Sequence, residues 1–219
     1  MPATLENRLS HRLLRHHLLL ALASLAGVWL LDWFIGYWLD AAKPESFYFR
    51  LGMATGDLAL ALLIITLSIG AINVLRQHRN PVSSDLRRDV GIWCAVVSLA
   101  HFILGWNVHM SSRRLYFFND DWSLRTDIFG LANYTGLIGV LIVIVLLVTS
   151  NDYTLRKLKA HRWKSLQRWN YAFGLLVAAH TVLYQFLEKR PLSLALPVAL
   201  LMVFGFVIQL LGFRNFRKC

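Results

Sequence analysis

Two of the eight histidines in this 219-residue chain stand where chemistry is the first question to ask. His101 lies in Ser98-Leu-Ala-His-Phe-Ile-Leu and His180 in Val177-Ala-Ala-His-Thr-Val-Leu, each well inside an apolar run. Ionisable residues in such runs are rare and mark function by default. A neutral imidazole there offers a nitrogen lone pair to a metal, or a hydrogen bond to a neighbouring helix. The other six, His11, His16, His17, His78, His109 and His161, fall in flanks, connections or run ends, where a solvated or headgroup-facing role suffices. Of the two cysteines, Cys94 lies inside an apolar run and Cys219 is the last residue, so neither a structural disulfide nor a Cys/His zinc cluster is expected.

The elements that must position this pair are long and apolar. Six runs recur, Leu18 to Leu39, Met53 to Leu75, Val90 to Trp106, Ile128 to Val148, Trp169 to Leu187 and Leu192 to Phe213. Each is near the roughly 20 residues that cross a hydrocarbon core of about 30 Å. They are expected to be helices, because backbone groups in lipid must be satisfied within the segment. The first follows Arg8, Arg12 and Arg15 as a secretory signal would, but it continues through Trp33, Tyr37 and Trp38, too long and aromatic for a cleaved segment. Composition agrees: 57% hydrophobic and 16% charged residues exclude a disordered chain, a disulfide scaffold and a coiled coil. No internal repeat, low-complexity tract or phosphate-binding glycine loop is apparent, so no flavin or nicotinamide domain is expected. The expected fold class is an all-α integral membrane protein, a six-transmembrane-helix bundle. Residues 1–17 form an N-terminal segment, 18–213 the membrane domain and 214–219 a tail.

A net charge of +11 first suggests nucleic acid, but its distribution gives a different reading. Sixteen of the 23 Lys and Arg fall on one side of the six runs and seven on the other. The positive-inside rule then puts both termini in the cytoplasm, together with the connections from Arg76 to Arg88 and Arg156 to Arg168. With acidic residues included, the split is +12 inside and −1 outside. The basic balance marks topology and anionic membrane lipid, and no nucleic-acid partner is expected.

Orientation sets depth. The third and fifth runs both leave the cytoplasmic side, and His101 comes 13 residues after Arg88 while His180 comes 12 after Arg168. At about 1.5 Å per residue both lie roughly 18 to 20 Å from the inner basic edge. Two imidazoles at one level on parallel helices suit the opposite faces of a flat macrocycle such as heme. Two nitrogen ligands would make its iron six-coordinate, which favours electron transfer over substrate binding. Gly91, Cys94, Ser98 and Gly105 share the helical face of His101, a stripe of small residues that leaves room for a macrocycle or for a closely packed helix. The competing reading is two histidines that only bond across a bundle. Asp32 could snorkel or pair with an arginine, Asp57 could bond at the interface, and Arg113, Arg114 and Arg125 could meet heme propionates or lie in a solvated loop.

Around the histidines the chain resembles the ferric-reductase-like transmembrane domain family. The likeness rests on Thr55-Gly56 and the run ending in Thr66-Leu67, and on Leu86-Arg87-Arg88-Asp89-Val90-Gly91-Ile92-Trp93-Cys94 leading to His101. It continues with Leu147-Val148-Thr149-Ser150 and with Trp163-Lys164-Ser165-Leu166-Gln167-Arg168 leading through Tyr171 to His180. Together these cover roughly residues 51–187, in the family's order. Within the family it resembles the heme-binding membrane subunits of bacterial periplasmic methionine-sulfoxide reductase systems. The resemblance implies a b-type heme held by His101 and His180 and a place in the bacterial inner membrane. Relatives usually carry a second histidine 13 residues before the last; Gln167 stands there, and Arg87 is 14 before His101, so one heme is expected.

The expected function is a multi-pass b-type cytochrome of the membrane. It would pass electrons from a cytoplasmic-side donor, a quinol or a separate flavoprotein, to an outer acceptor. By family likeness that acceptor is a periplasmic oxidoreductase acting on methionine sulfoxide, or ferric iron. With no flavin or nicotinamide domain of its own, quinone or flavin would come from a partner. The alternatives are a non-redox transporter or membrane assembly protein with structural histidines, and an enzyme that reduces ferric chelates itself at the outer face. Paired, broken helices in two related halves would favour transport, and only Pro197 interrupts a run.

Overall fold

The structure, a computed structural model, describes residues 3–39, 47–76, 85–108 and 113–216. His78, His109 and Cys219 lie outside them. The described residues form α1 (Ala3–Trp38), α2 (Phe47–Leu75), α3 (Asp85–Gly105), α4 (Ile128–Thr149), α5 (Asp152–Gln167), α6 (Trp169–Glu188) and α7 (Leu192–Phe216), with a 3-10 turn at Arg113–Tyr116. One isolated bridge, Phe118 to Leu124, is the sole β pairing among them.

Five of these helices, α1 from His16 onward, α2, α3, α4 and α7, are long and apolar enough to cross a membrane. The sixth expected span folds as the 20-residue α6 but is less apolar, because Asn170, His180, Thr181, Tyr184 and Gln185 interrupt it. Four of those five polar residues face one internal cavity, so the polarity that weakens α6 as a span belongs to its inward face. Large apolar side chains point out of the bundle: Leu25 is 69% exposed, Leu175 75% and Phe206 68%. In water such a surface would associate; in lipid it needs no partner.

The centre of the bundle is α2. Half of its most apolar stretch is buried, against 11% for α1 and α7. Its own hydroxyls stay satisfied within the helix, Thr55 Oγ1 donating to Leu51 O and Thr66 Oγ1 to Leu62 O, both at 2.7 Å. It packs chiefly on α3, and α4 chiefly on α6, giving two helix pairs side by side. The small-residue stripe of α3 serves this contact: Cys94 Sγ donates to Ala59 O at 3.5 Å, and a Cβ on Gly91 would lie 3.5 Å from Thr66 Cγ2.

Side-chain ties show that successive membrane helices run antiparallel. At one end, the basic end, Arg88 pairs with Asp152, and the fully buried Asp89 takes a 2.9 Å hydrogen bond from His16 Nδ1, with His17 Nε2 at 3.6 Å. At the far end Arg50 pairs with Asp32 at 2.6 Å, and Arg190 stands 3.7 Å from Asp57. The connection after α4, expected to be a basic loop, is helix α5. Asn151 caps it by accepting from Thr154 N at 2.8 Å, and Trp163 tucks back to donate to Thr149 O at 2.9 Å. Its dense charge masked the helix, whose one break is the left-handed Lys159 at φ 59°.

Candidate ligand site between two helix pairs

His101 projects from α3 and His180 from α6 into one cavity, with ring centroids 6.0 Å apart and planes at 88°. Each is anchored in the same way. His101 Nδ1 donates to Gly52 O on α2, and His180 Nδ1 donates to Ala132 O on α4, both at 2.8 Å. A carbonyl only accepts, so both Nδ1 atoms carry the proton and both Nε2 lone pairs are left for the cavity. A backbone carbonyl holding the second ring nitrogen is how metal-ligating histidines are commonly oriented.

Four residues beyond each carbonyl lies a glycine that the ring covers. A Cβ on Gly56 would come within 2.9 Å of His101 Cε1, and one on Gly136 within 2.9 Å of His180 Cε1 and Nδ1. The two half-sites are a repeat. Gly52-Met-Ala-Thr-Gly56 on α2 and Ala132-Asn-Tyr-Thr-Gly136 on α4 share their Thr-Gly, and the anchoring carbonyls precede their histidines by 49 and 48 residues. Thr135 Oγ1 bonds back to Ala132 O at 2.7 Å much as Thr55 does on α2. The small-residue stripe around His101, expected to make room for a macrocycle or for a closely packed helix, packs on α2 at Gly91 and Cys94 and lines the cavity at Ser98 and Gly105. The glycines that the rings cover lie on the partner helices, and only the spaced repeat of small-x-x-Thr-Gly could have revealed them.

The geometry suits an ion between two imidazoles. Ligating nitrogens sit about 1 Å from their ring centroids and metal–imidazole bonds are about 2 Å, so two opposed ligands stand roughly 6 Å apart. Among the described residues no group of three or more His, Cys, Asp or Glu could hold a metal ion, which leaves this pair as the metal-ligating set considered. Tyr184 lies against His180 with ring centroids 4.8 Å apart and planes tilted by 51°, and it donates to Asn133 Oδ1 at 2.9 Å. The segment after α3 closes the far end: Tyr116 is buried and donates to Gly105 O at 2.9 Å, and both Tyr116 and Phe117 line the cavity.

The three arginines considered for propionates do not reach it. Arg113 lies 5.3 Å over the Trp106 ring, Arg114 stands 4.7 Å over Trp122 and 3.7 Å from Asp120, and Arg125 pairs with Asp127 at 2.6 Å. The cation that does line the cavity is Arg190, from the turn between α6 and α7.

A second cavity, of about 500 Å³, opens toward the basic end between the same helix pairs. Arg87, Arg88, Lys164 and Arg168 line it with Trp163 and Tyr171. Here Arg87 stands over Gly70 as His101 stands over Gly56: a Cβ on Gly70 would lie 3.1 Å from its Nη1. Gln167 Nε2 is buried there without a hydrogen-bond partner among the described residues. His161, the other nearby histidine in the described residues, is exposed on α5.

Fold and site together define a membrane helix bundle in which two helix pairs hold two facing imidazoles between them. The chain belongs to the family described as ferric reductase like transmembrane component, which it matches over residues 55–178. That match contains Gly56, His101 and Gly136 and stops two residues short of His180. The chain is also similar to the protein-methionine-sulfoxide reductase heme-binding subunit MsrQ of Yersinia pseudotuberculosis serotype O:1b (strain IP 31758), with 26% identity over 165 residues, 75% of this chain and 77% of that relative. The subunit of the same name from Yersinia pestis (strain Pestoides F) is 26% identical over 165 residues, 75% of this chain and 76% of its own length. No solved structure matches.

Proposed function

We propose that the chain is a b-type cytochrome of the bacterial inner membrane, in which His101 and His180 hold one heme b. The observation that carries this reading is the anchored pair: two imidazoles 6.0 Å apart, each with Nδ1 committed to a backbone carbonyl. The family and the heme-binding relatives support it. When bound, the heme supplies one-electron chemistry. The residues supply the rest. Gly52 and Ala132 carbonyls fix the tautomers, Gly56 and Gly136 give the rings room, and Leu60, Leu63, Val140 and Val177 keep the cavity walls apolar. With both imidazoles committed to the heme, the site would favour electron transfer over substrate binding.

In this reading six helices span the membrane with both termini in the cytoplasm, and the basic end faces inward. The donor is a quinol or a separate flavoprotein approaching the basic end, and the acceptor is a periplasmic oxidoreductase at the far end. The basic cavity lined by Trp163 and Tyr171 supports entry from that side, and the name of the relatives supports a methionine-sulfoxide reductase as acceptor. Reduced-minus-oxidised visible spectra of the purified protein test the ligand pair. Wild type from heme-replete cells is expected to show b-type bands, and His101→Ala and His180→Ala to lose them. Bands that survive both substitutions would refute the pair.

A further inference from the structure

Three buried polar atoms in the cavity of the imidazole pair have no hydrogen-bond partner among the described residues. Arg190 lies in the turn between α6 and α7, where Lys189 ends α6 in the left-handed conformation at φ 46° and Pro191 leads into α7. A residue before proline is held extended, which suits Arg190 to leave the turn rather than prolong α6. Its side chain is 13% exposed and lines the cavity shared by His101 and His180. The contact to Asp57 is 3.7 Å, an ion pair too long for a hydrogen bond, and the buried Nε of Arg190 has no acceptor among the described residues. Gln185, five residues past His180 on the same helix, also lines the cavity, with both Nε2 and Oε1 buried and unpartnered.

Buried polar groups are normally satisfied, and a fork of guanidinium donors with an amide beside it matches a carboxylate. The other charged group lining this cavity is Asp57, and the two imidazoles that face it are neutral. We propose that Arg190, assisted by Gln185, receives the carboxylate edge of the tetrapyrrole that His101 and His180 hold, so that this edge faces the turn between α6 and α7. The assignment rests on the heme reading above, and it gives Arg190 a positioning role that the loop arginines 113, 114 and 125 cannot fill.

The test is heme transfer from the full-length purified protein to apomyoglobin, together with the midpoint potential. R190Q is expected to keep a six-coordinate spectrum, to lose heme about tenfold faster, and to shift the midpoint to more negative values, since a positive charge beside the ferric state is gone. R190K should recover the potential more than the rate, because it restores charge without the fork. Reconstitution with heme dimethyl ester checks the same contact without mutation: wild type should lose the ester as fast as R190Q loses heme, and R190Q should not distinguish the two. Equal loss rates in wild type and R190Q, or discrimination between acid and ester that persists in R190Q, would overturn the assignment while leaving the cytochrome intact. A wild-type chain with no b-type heme would overturn the heme reading and this assignment with it.

Discussion

At the far level of the bundle an imidazole covers Gly56; fourteen residues along α2 and fourteen back along α3, a guanidinium covers Gly70. Along α2 and α3 the two levels lie about 21 Å apart, and each sets a polar side chain of α3 over a glycine of α2. Their chemistry differs. The far level pairs two neutral nitrogen donors with apolar walls, whereas the basic level has Arg87, Gln167 and three further cations around a larger cavity. A helix frame with small residues at regular depth therefore offers a place for a ligand, and the side chain set into each level decides which ligand. Neutral imidazole suits iron. A guanidinium is never a metal ligand at neutral pH, because it offers only donors.

The sharpest way to break the comparison is at the far level. His101→Ala or His180→Ala should abolish bound heme, and pyridine hemochrome assay of the purified variants reads this directly. Next in size is the reverse change. If the frame is common to both levels, the pair Arg87→His and Gln167→His should raise the heme-to-protein ratio from one toward two; an unchanged ratio would mean that the basic level differs in shape as well as in ligand.

The glycines give a graded contrast. Gly56→Ala and Gly136→Ala push a methyl to 2.9 Å from rings whose Nδ1 is tied to a backbone carbonyl, so heme retention should fall severalfold. Gly70→Ala meets only the tip of a long, flexible side chain at 3.1 Å and should leave retention near wild type. A small effect, on stability and not on heme, is expected at the mouth of α4, the helix that carries Ala132 and Gly136. There Asp127 caps the helix by accepting from Gly130 N at 2.8 Å. Its carboxyl is held below the usual carboxylate range first by the Arg125 guanidinium and then by the Gly130 N–H. Asp127→Ala should cost about 1 kcal/mol. A depressed pKa means the contribution is present above the ordinary carboxylate pKa and is lost as pH falls through the lower folded value. Thermal unfolding in detergent should therefore separate the variant from wild type at pH 7 and bring them together in strong acid.

Much of this was legible before any coordinates. Apolar length alone locates the membrane-crossing parts of α1, α2, α3, α4 and α7, though α1 begins at Ala3 and α2 at Phe47, before the apolar runs start. The depth argument places His101 and His180 at one level, and the structure brings their rings together. What escaped depends on partners. Gly56 and Gly136 mean nothing until α2 meets α3 and α4 meets α6. Arg190 carries no signal in the sequence, since a cation in a short turn looks solvated until the turn folds back. Asp89 sits among the charges at the start of α3, where the sequence gives no sign of its burial beside His16 and His17. The α5 helix was hidden by its charge, because apolar periodicity does not register a helix that lies along a surface.

The central claim is that one level of the frame holds heme and the other does not. Heme-to-protein stoichiometry of the wild-type chain, purified from heme-replete cells and measured against quantitative amino-acid analysis, tests it most directly. A ratio near one, with b-type bands, is predicted. A ratio near two would contradict the account at Arg87 and Gln167, and a ratio near zero would contradict it at His101 and His180.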